Sequence, residues 1–474
     1  MNLKNSLYLF LAFITLLRLA VAPNVGLGVD EAHYVLYGHF LDLSYFDHPP
    51  LVGWVEYIFI SVFGNNEFAA RLPAIIIGII SSLFVYRLLL HVSTDKKAAF
   101  FGVVALNSAF IFNALFLMLM PETLLFALII PIIFSVIAVE KNDGLREWLI
   151  LGFLLGLAGL AKYTAFLFVV AIILYLLIKK SYRVFVSPKI ILAALLSLVM
   201  ISPIIIWNID HNWISFAFQA EHVTGESHID WEDFAASIGA QLGAYSPFLF
   251  PVAYYGLYRS LKSKENLLFL SGIFALVIIS FFTYASLYSR ALPHWTALFY
   301  LLMIPVGSAF LYQKLGRWHS YIKYSVIFSF TISVILYFEL MFKFIPLPDY
   351  QSLHRDIYGF DTIMKEANSL IEDNEAIAVT NWSLASRAIY YNLPYKSDVF
   401  LIDKRDDQFD IWQKKSPIGR DIIFIDTHDF KSGVKTDMNC LHVRHLKSID
   451  ITLNSHKVNS VDYNLCENFQ GIKE

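Results

Sequence analysis

The chain has 474 residues, of which 57% are hydrophobic and 16% charged, with a formal net charge of −3. So few polar side chains cannot cover a water-facing surface, which places most of the chain in lipid and excludes a string of soluble domains. The near-neutral balance, without a basic tail or stripe, excludes nucleic acid as a partner. The two cysteines, Cys440 and Cys466, lack any CxxC or Cys/His spacing for zinc or iron–sulfur ligation.

A membrane span takes about 20 apolar residues. Taken in chain order, spans are predicted at 5–23, 72–92, 98–117, 122–139, 147–161, 163–179, 188–207, 236–258, 266–285, 292–312 and 321–345, eleven in all. The first resembles a signal peptide, but Arg18 lies inside it and no small-x-small cleavage site follows, which favours an uncleaved helix. Only Lys162-Tyr163-Thr164 divides the fifth span from the sixth, so a tight turn is expected at that lysine. Lysine and arginine collect in alternate loops, at Lys96-Lys97, Lys141 and Arg146, Lys179 to Arg183, Arg259 to Lys264, and Lys314 and Arg317. The other turns hold only Lys162 and Arg290. The positive-inside rule then puts 24–71, 208–235 and everything after about residue 346 outside the cytoplasm.

The first of these outer segments concentrates Asp30, Glu31, His33, His39, Asp42, Asp47, His48 and Glu67 in one loop. Its stretch 31–41 reads as a helix lying in the membrane interface. The second, with Gln219-Ala-Glu-His222, reads as an interfacial or partly ordered loop. After residue 346, a helix at 356–372 and short apolar runs at 376–380, 399–403 and 422–426 suggest a small α/β domain. It carries no glycine-rich phosphate loop, so a catalytic role for it is not expected. Its two cysteines are as well read as a disulfide as two buried thiols. The predicted fold is an α-helical polytopic membrane protein, with a membrane domain over 1–345 and an extracytoplasmic α/β domain over 346–474.

Several polar residues stand where chemistry is plausible. Asp30-Glu31 suits a helix N-terminus, where acidic side chains stabilise the first turn, and equally a partly shielded general base. Asp47-His48 precedes Pro49-Pro50, which forbid a helix there and hold the pair in one direction, as a divalent cation or a phosphate contact requires. Glu122, after Pro121, is a first-turn residue or a further site carboxylate on the same face. Lys162, Arg290 and His294 are the outer-face cationic candidates, against a bland reading in which lysine only snorkels. His222 is a less specific addition, since a lone loop histidine is more often solvated. An outer face has no nucleotide sugars, so group transfer there needs a lipid-linked donor. A sugar on a polyprenyl phosphate would leave a phosphate anion to be neutralised, and an acceptor hydroxyl would need a base, for which Asp30 is suited. A phosphate acceptor would arrive ionised, and the carboxylate would then only position it.

Val29-Asp30-Glu31-Ala-His-Tyr, Tyr45-Phe-Asp47-His48-Pro49-Pro50 and Arg71-Leu-Pro73 resemble the first outer loop of the polyprenyl-phosphate-dependent GT-C glycosyltransferases. Within that family the resemblance is to protein O-mannosyltransferases, the RgtA/B/C/D-like domain and the aminoarabinose transferases that modify lipid A. Pro121-Glu122, Ala161-Lys162-Tyr163-Thr164, Phe218-Gln-Ala-Glu-His222 and Leu292-Pro293-His294-Trp295 extend it, and Asp407-Gln-Phe-Asp-Ile-Trp412 carries it into the tail. The resemblance implies an inner-membrane enzyme with the GT-C fold. It would make an inverting transfer from a polyprenyl-phosphate sugar to a glycolipid such as lipid A, another envelope glycan, or a protein. It makes Asp30 the base, with Glu31 beside it. It maps Asp47 to a divalent-metal site and His48 to the position that contacts the donor phosphate, and matches Lys162 directly; apart from the resemblance, Arg290 is a further candidate for the donor phosphate and His294 a second candidate metal ligand. Two positions depart from the pattern: His48 stands where aminoarabinose transferases have a lysine, and no arginine follows Glu221-His222, which weakens lipid A as the acceptor. A flippase for lipid-linked sugars is the rival reading; it expects mid-span charges, of which only Arg18 and Arg87 are seen, and internal repeats. A non-catalytic envelope assembly protein would leave the acidic loop without a task.

Overall fold

The computed structural model describes residues 3–93, 95–224, 228–314, 316–347, 352–372 and 375–473. In chain order its helices are α1 (Leu3–Val21), α2 (Val29–His39), α3 (Leu51–Phe63), α4 (Glu67–Val92), α5 (Lys96–Ser108), α6 (Phe110–Leu115), α7 (Pro121–Asn142), α8 (Leu145–Ala161), α9 (Phe166–Ile178) and α10 (Lys189–Asp210). They continue as α11 (Ile214–Thr224), α12 (Trp231–Ala244), α13 (Phe250–Leu261), α14 (Asn266–Ala285), α15 (Ala297–Gln313), α16 (Arg317–Phe342), α17 (Phe360–Leu370), α18 (Trp382–Asn392) and α19 (Gln408–Trp412). The strands are β1 (Glu375–Val379), β2 (Val399–Leu401), β3 (Asp421–Thr427), β4 (His442–Leu453) and β5 (His456–Glu467). The chain forms two compact units: Met1–Ala20 with Asp42–Val55 and Arg71–Ile335, and Val21–Leu41 with Glu56–Ala70 and Leu336–Glu474.

The first unit is a helical membrane body. Among the described residues, six helical segments are long and apolar enough to cross a bilayer: Glu67–Val92, Pro121–Asn142, Lys189–Asp210, Asn266–Ala285, Pro293–Gln313 and Arg317–Phe342. Asn5–Val21, Leu51–Phe63 and Tyr163–Ile178 are apolar but shorter. The predicted span 98–117 is broken, because Ala109 is extended (φ −67°, ψ 134°) between α5 and α6. A broken helix in lipid must satisfy its freed carbonyls internally. Asn113 Nδ2 does so, donating to the carbonyls of Asn107 (3.0 Å) and Ala109 (3.2 Å). The buried Arg18 guanidinium holds both amides in place, donating to Asn107 Oδ1 (3.1 Å) and Asn113 Oδ1 (3.3 Å). The predicted span 236–258 is likewise broken between α12 and α13, where Ser246 takes φ 71° before Pro247. Small residues let the next helices close: a Cβ on Gly307 would lie 2.0 Å from the Val252 carbonyl oxygen, so α13 and α15 pack backbone to backbone.

The second unit is built on a five-stranded sheet of order β2-β1-β3-β5-β4. β1 pairs in parallel with β2 and β3, with Ile377 opposite Val399 and Ile423; β5 pairs antiparallel with β3 and β4. The sequence shows β1 to β3 and misses the β4–β5 hairpin. β4 is exposed along most of its length and alternates apolar and polar residues only at its end, at Ile449, Ile451 and Leu453; the hairpin signal there is the Asn454-Ser455 turn, with φ 48° and 66°. One face of the sheet, with Ala376, Phe400, Phe424 and Cys466, packs on Met438 and Phe469, and Cys440 and Cys466 are joined in a disulfide with Cα atoms 5.3 Å apart. The other face shares a core with α2: Ala32, Val35 and Leu36 cluster with Ile363, Ala385, Leu401 and Ile423. The helix expected at the membrane interface is thus enclosed by protein, with Glu31 to Gly38 all buried.

Candidate functional site

In the first unit, the double proline delays α3 until Leu51, so 44–48 cannot be helical and must find its hydrogen bonds elsewhere. It closes a turn through Tyr45 N–H to the His48 carbonyl (3.1 Å). Helix α11 clamps that turn: Ser215 Oγ donates to the Tyr45 carbonyl (2.9 Å) and Gln219 Nε2 to the Asp47 carbonyl (2.8 Å). Trp54 Nε1 holds the Asp42 carbonyl (3.0 Å) from the other side. With its backbone fixed, Asp47 turns its carboxylate onto His48, Oδ2 to Nδ1 at 2.9 Å, which sets the imidazole's tautomer and orientation.

Pro121 opens α7, where its missing N–H costs nothing, and puts Glu122 in the first turn. Thr123 Oγ1 accepts the Met120 N–H (3.3 Å) and donates to the Leu115 carbonyl (3.0 Å), so that turn is tied back to α6. Lys162 is extended (φ −157°, ψ 140°) between the end of α8 and a short turn at Tyr163–Ala165, the break expected from the sequence. Its ammonium forms an ion pair with Glu122 Oε1. His294, in the turn Pro293–Thr296, places Nε2 3.7 Å from the same oxygen. Tyr245 Oη (2.8 Å) and Thr296 Oγ1 (3.0 Å) both donate to the Pro293 carbonyl and fix that turn. His48 also acts electrostatically on Glu122.

A buried carboxylate, 4% exposed, is therefore flanked by an ammonium and two imidazoles that are 13–19% exposed. Glu122 organises these donors, and their remaining N–H groups suit an oxyanion or phosphate. Of the sequence's candidates, Lys162 and His294 thus meet at Glu122, and Asp47 meets His48, which acts on Glu122 electrostatically. Arg290 is exposed and joins none of these bonds. The side chain of His222 lies outside the described residues. Ser215, Gln219 and Tyr245 escape a sequence reading of roles, although Gln219 sits inside a quoted motif, because they act by holding backbone. Among the described residues no group of three or more His, Cys, Asp or Glu side chains is arranged to hold a metal ion. Asp47 and His294 suit only a cation that takes most of its ligands from water and phosphate oxygens.

Beside this cluster lies an apolar cavity of about 640 Å³ between α7, α8, α9 and α10, with Tyr163 and Phe216 in its wall. Apart from Tyr163, Trp148 and Ser197 its lining is purely hydrocarbon, glycine or phenylalanine.

Asp30 and Glu31 belong to the second unit. The buried Glu31 carboxylate accepts the Gly28 N–H (3.1 Å) and so caps its own helix. Asp30, beside it, is half-buried in the first turn of α2. Among the described residues, the buried Glu56 in α3 has both carboxylate oxygens without a hydrogen-bond partner; burial, and then the charge of Glu31, push its pKa well above the carboxylate range.

Residues 47–207 match the family model described as dolichyl-phosphate-mannose-protein mannosyltransferase. A curated relative, lipid A galacturonosyltransferase RgtD of Rhizobium johnstonii, is 23% identical over 363 residues, 72% of each chain. Two crystal structures of ArnT from Cupriavidus metallidurans superpose over 97% of this chain and 98% of theirs. The one bound to undecaprenyl phosphate has a TM-score of 0.66 at 13% identity, and the apo form 0.64 at 14%.

Proposed function

We propose that this chain, a membrane glycosyltransferase with the GT-C fold, moves a single sugar from a polyprenyl-phosphate carrier to a glycolipid acceptor on the outer face of the inner membrane. The observation that carries the reading is the Lys162–Glu122–His294 cluster, with Asp47-His48 beside it and an apolar cavity adjoining it at Tyr163. A polyprenyl phosphate has that same division into an anionic head and a hydrocarbon tail. A cavity of this size is within the ~300–1,000 Å³ of ligand pockets and would take part of the isoprenoid chain.

In the proposed reaction the acceptor oxygen attacks the sugar's anomeric carbon from the face opposite the phosphate, the C–O bond to phosphate breaks, and configuration inverts. Asp30 takes the hydroxyl proton, and polyprenyl phosphate leaves as the anion. Lys162, His294 and His48 neutralise that anion, and Arg290 is its proposed outer contact. Glu122 keeps the lysine and histidine aimed at the phosphate, and Glu31 holds the helix that carries Asp30. Asp47 and His294 are the residues proposed to hold a divalent cation, which would add neutralisation at the donor phosphate. Lipid A is the acceptor best supported by the curated relative. The disulfide suits a periplasmic location for the C-terminal domain. The transport alternative needs ionisable groups serving a pathway at the bilayer midplane. Arg18 is instead bonded to the amides of Asn107 and Asn113 at a helix break.

Purified protein in proteoliposomes, given a labelled polyprenyl-phosphate sugar and lipid A, tests the reading. Label is expected on the acceptor, with activity falling on chelation and returning with added Mg²⁺ or Mn²⁺. Donor crossing the bilayer without transfer would make the protein a flippase; full activity in chelator would remove the cation from the proposal.

A further inference from the structure

The reaction proposed above uses no residue of the C-terminal domain, yet that domain holds the helix carrying Asp30 at both ends of its first turn. Ahead of the helix, the chain runs tightly against the domain backbone: a Cβ on Gly26 would fall 2.0 Å from the Ile357 carbonyl oxygen. One residue on, Tyr391 Oη accepts the Leu27 N–H (3.0 Å) and donates to Glu67 Oε1 (2.8 Å). Behind Asp30, the buried ring of His33 lies among aromatic rings of the domain, 4.7 Å from Trp382, 5.5 Å from Phe409 and 5.9 Å from Trp412. Ser386 Oγ is 3.4 Å from its Nδ1. Asp30 lies three residues from each anchor, Leu27 and His33.

We infer that the C-terminal domain is the positioning element of the transferase, and that Tyr391 is a positioning residue that sets Asp30 through the Leu27 N–H and Glu67. The inference rests on Asp30 as the base. A general base must stay within hydrogen-bond reach of the proton it takes, and displacement by about 1 Å costs on the order of a hundredfold in rate. Removing one hydroxyl from this half-buried anchor loosens the first turn of α2.

The test is Tyr391→Phe in the full chain. We expect kcat to fall about tenfold or more, with KM for the donor within twofold, and faster hydrogen exchange at residues 26–31 than in wild type. Glu67→Ala, which keeps the Leu27 contact, should give a smaller loss of the same kind and serves should the phenylalanine variant fail to fold. In an Asp30→Asn background, Tyr391→Phe should add nothing to the loss already present. Unchanged kcat in both variants, or a rise in donor KM at constant kcat, overturns the inference. Full activity in Asp30→Asn sinks the base instead; faster exchange at 26–31 would then still report that Tyr391 holds the helix.

Discussion

At the scale of residues, Glu122 is the pivot of the phosphate-binding reading. It is buried, yet it lies against Lys162 and His294, so removing its charge leaves the ammonium and the imidazole without the group that aims them. Glu122→Gln should lower kcat/KM for the polyprenyl donor about tenfold. Lys162→Met should lower it about a hundredfold, the size seen when one preorganised donor to a developing anion is lost. Initial-rate kinetics over donor concentration check both, and equal, small effects would point to a structural ion pair only. These residues are legible in the sequence because each interrupts an apolar run at a predicted outer end. The supports are not: Ser215 and Gln219 work through backbone carbonyls of 45 and 47, and no pattern in the chain foretells such pairings. In the sequence Glu31 reads together with Asp30, and the Gly28 contact gives Glu31 a capping task of its own.

At the scale of elements, α19 carries a second carboxylate under strain. Asp407 caps α19 by accepting the Phe409 N–H (2.8 Å), while its Oδ2 is buried without a partner among the described residues. Burial, then the charges of Asp403 and Asp410, push its pKa up to about 6, against the opposing pull of the Phe409 N–H and His33. The unfolded chain releases this proton near 3.9. Folding therefore retains a proton between about pH 4 and pH 6, and the stability this contributes is complete below about pH 4 and lost as pH rises through about 6. Asp407→Asn should remove that slope, a change on the order of 1–3 kcal/mol across the window. Denaturant midpoints of both proteins from pH 4 to 7 measure it; parallel curves would refute it. The elements themselves were unevenly readable. Long apolar helices and the central strands stand out by composition, whereas β4 presents charged and polar residues on both sides, and the break at Ala109 is invisible until Asn113 and Arg18 are seen to satisfy it.

At the scale of the whole molecule, the sequence divides the chain into a membrane domain and a tail, while the compact units add residues 21–41 and 56–70 to the C-terminal segment. That grouping could not be read from order along the chain, because Leu27 and Glu67 meet Tyr391 more than three hundred positions away. It is what gives the tail its proposed task of holding α2. It also divides the proposed chemistry: the cluster proposed to hold the donor phosphate lies in the first unit, and Asp30, the proposed base, on a helix of the second. A substitution on either side should then affect a different step.

The most direct test of this account is single-turnover transfer by Asp30→Asn, measured beside equilibrium binding of polyprenyl phosphate to the same preparation. The account predicts that transfer to a hydroxyl acceptor falls by at least about a hundredfold while binding stays within a fewfold of wild type. Transfer at the wild-type rate with unchanged binding would contradict it.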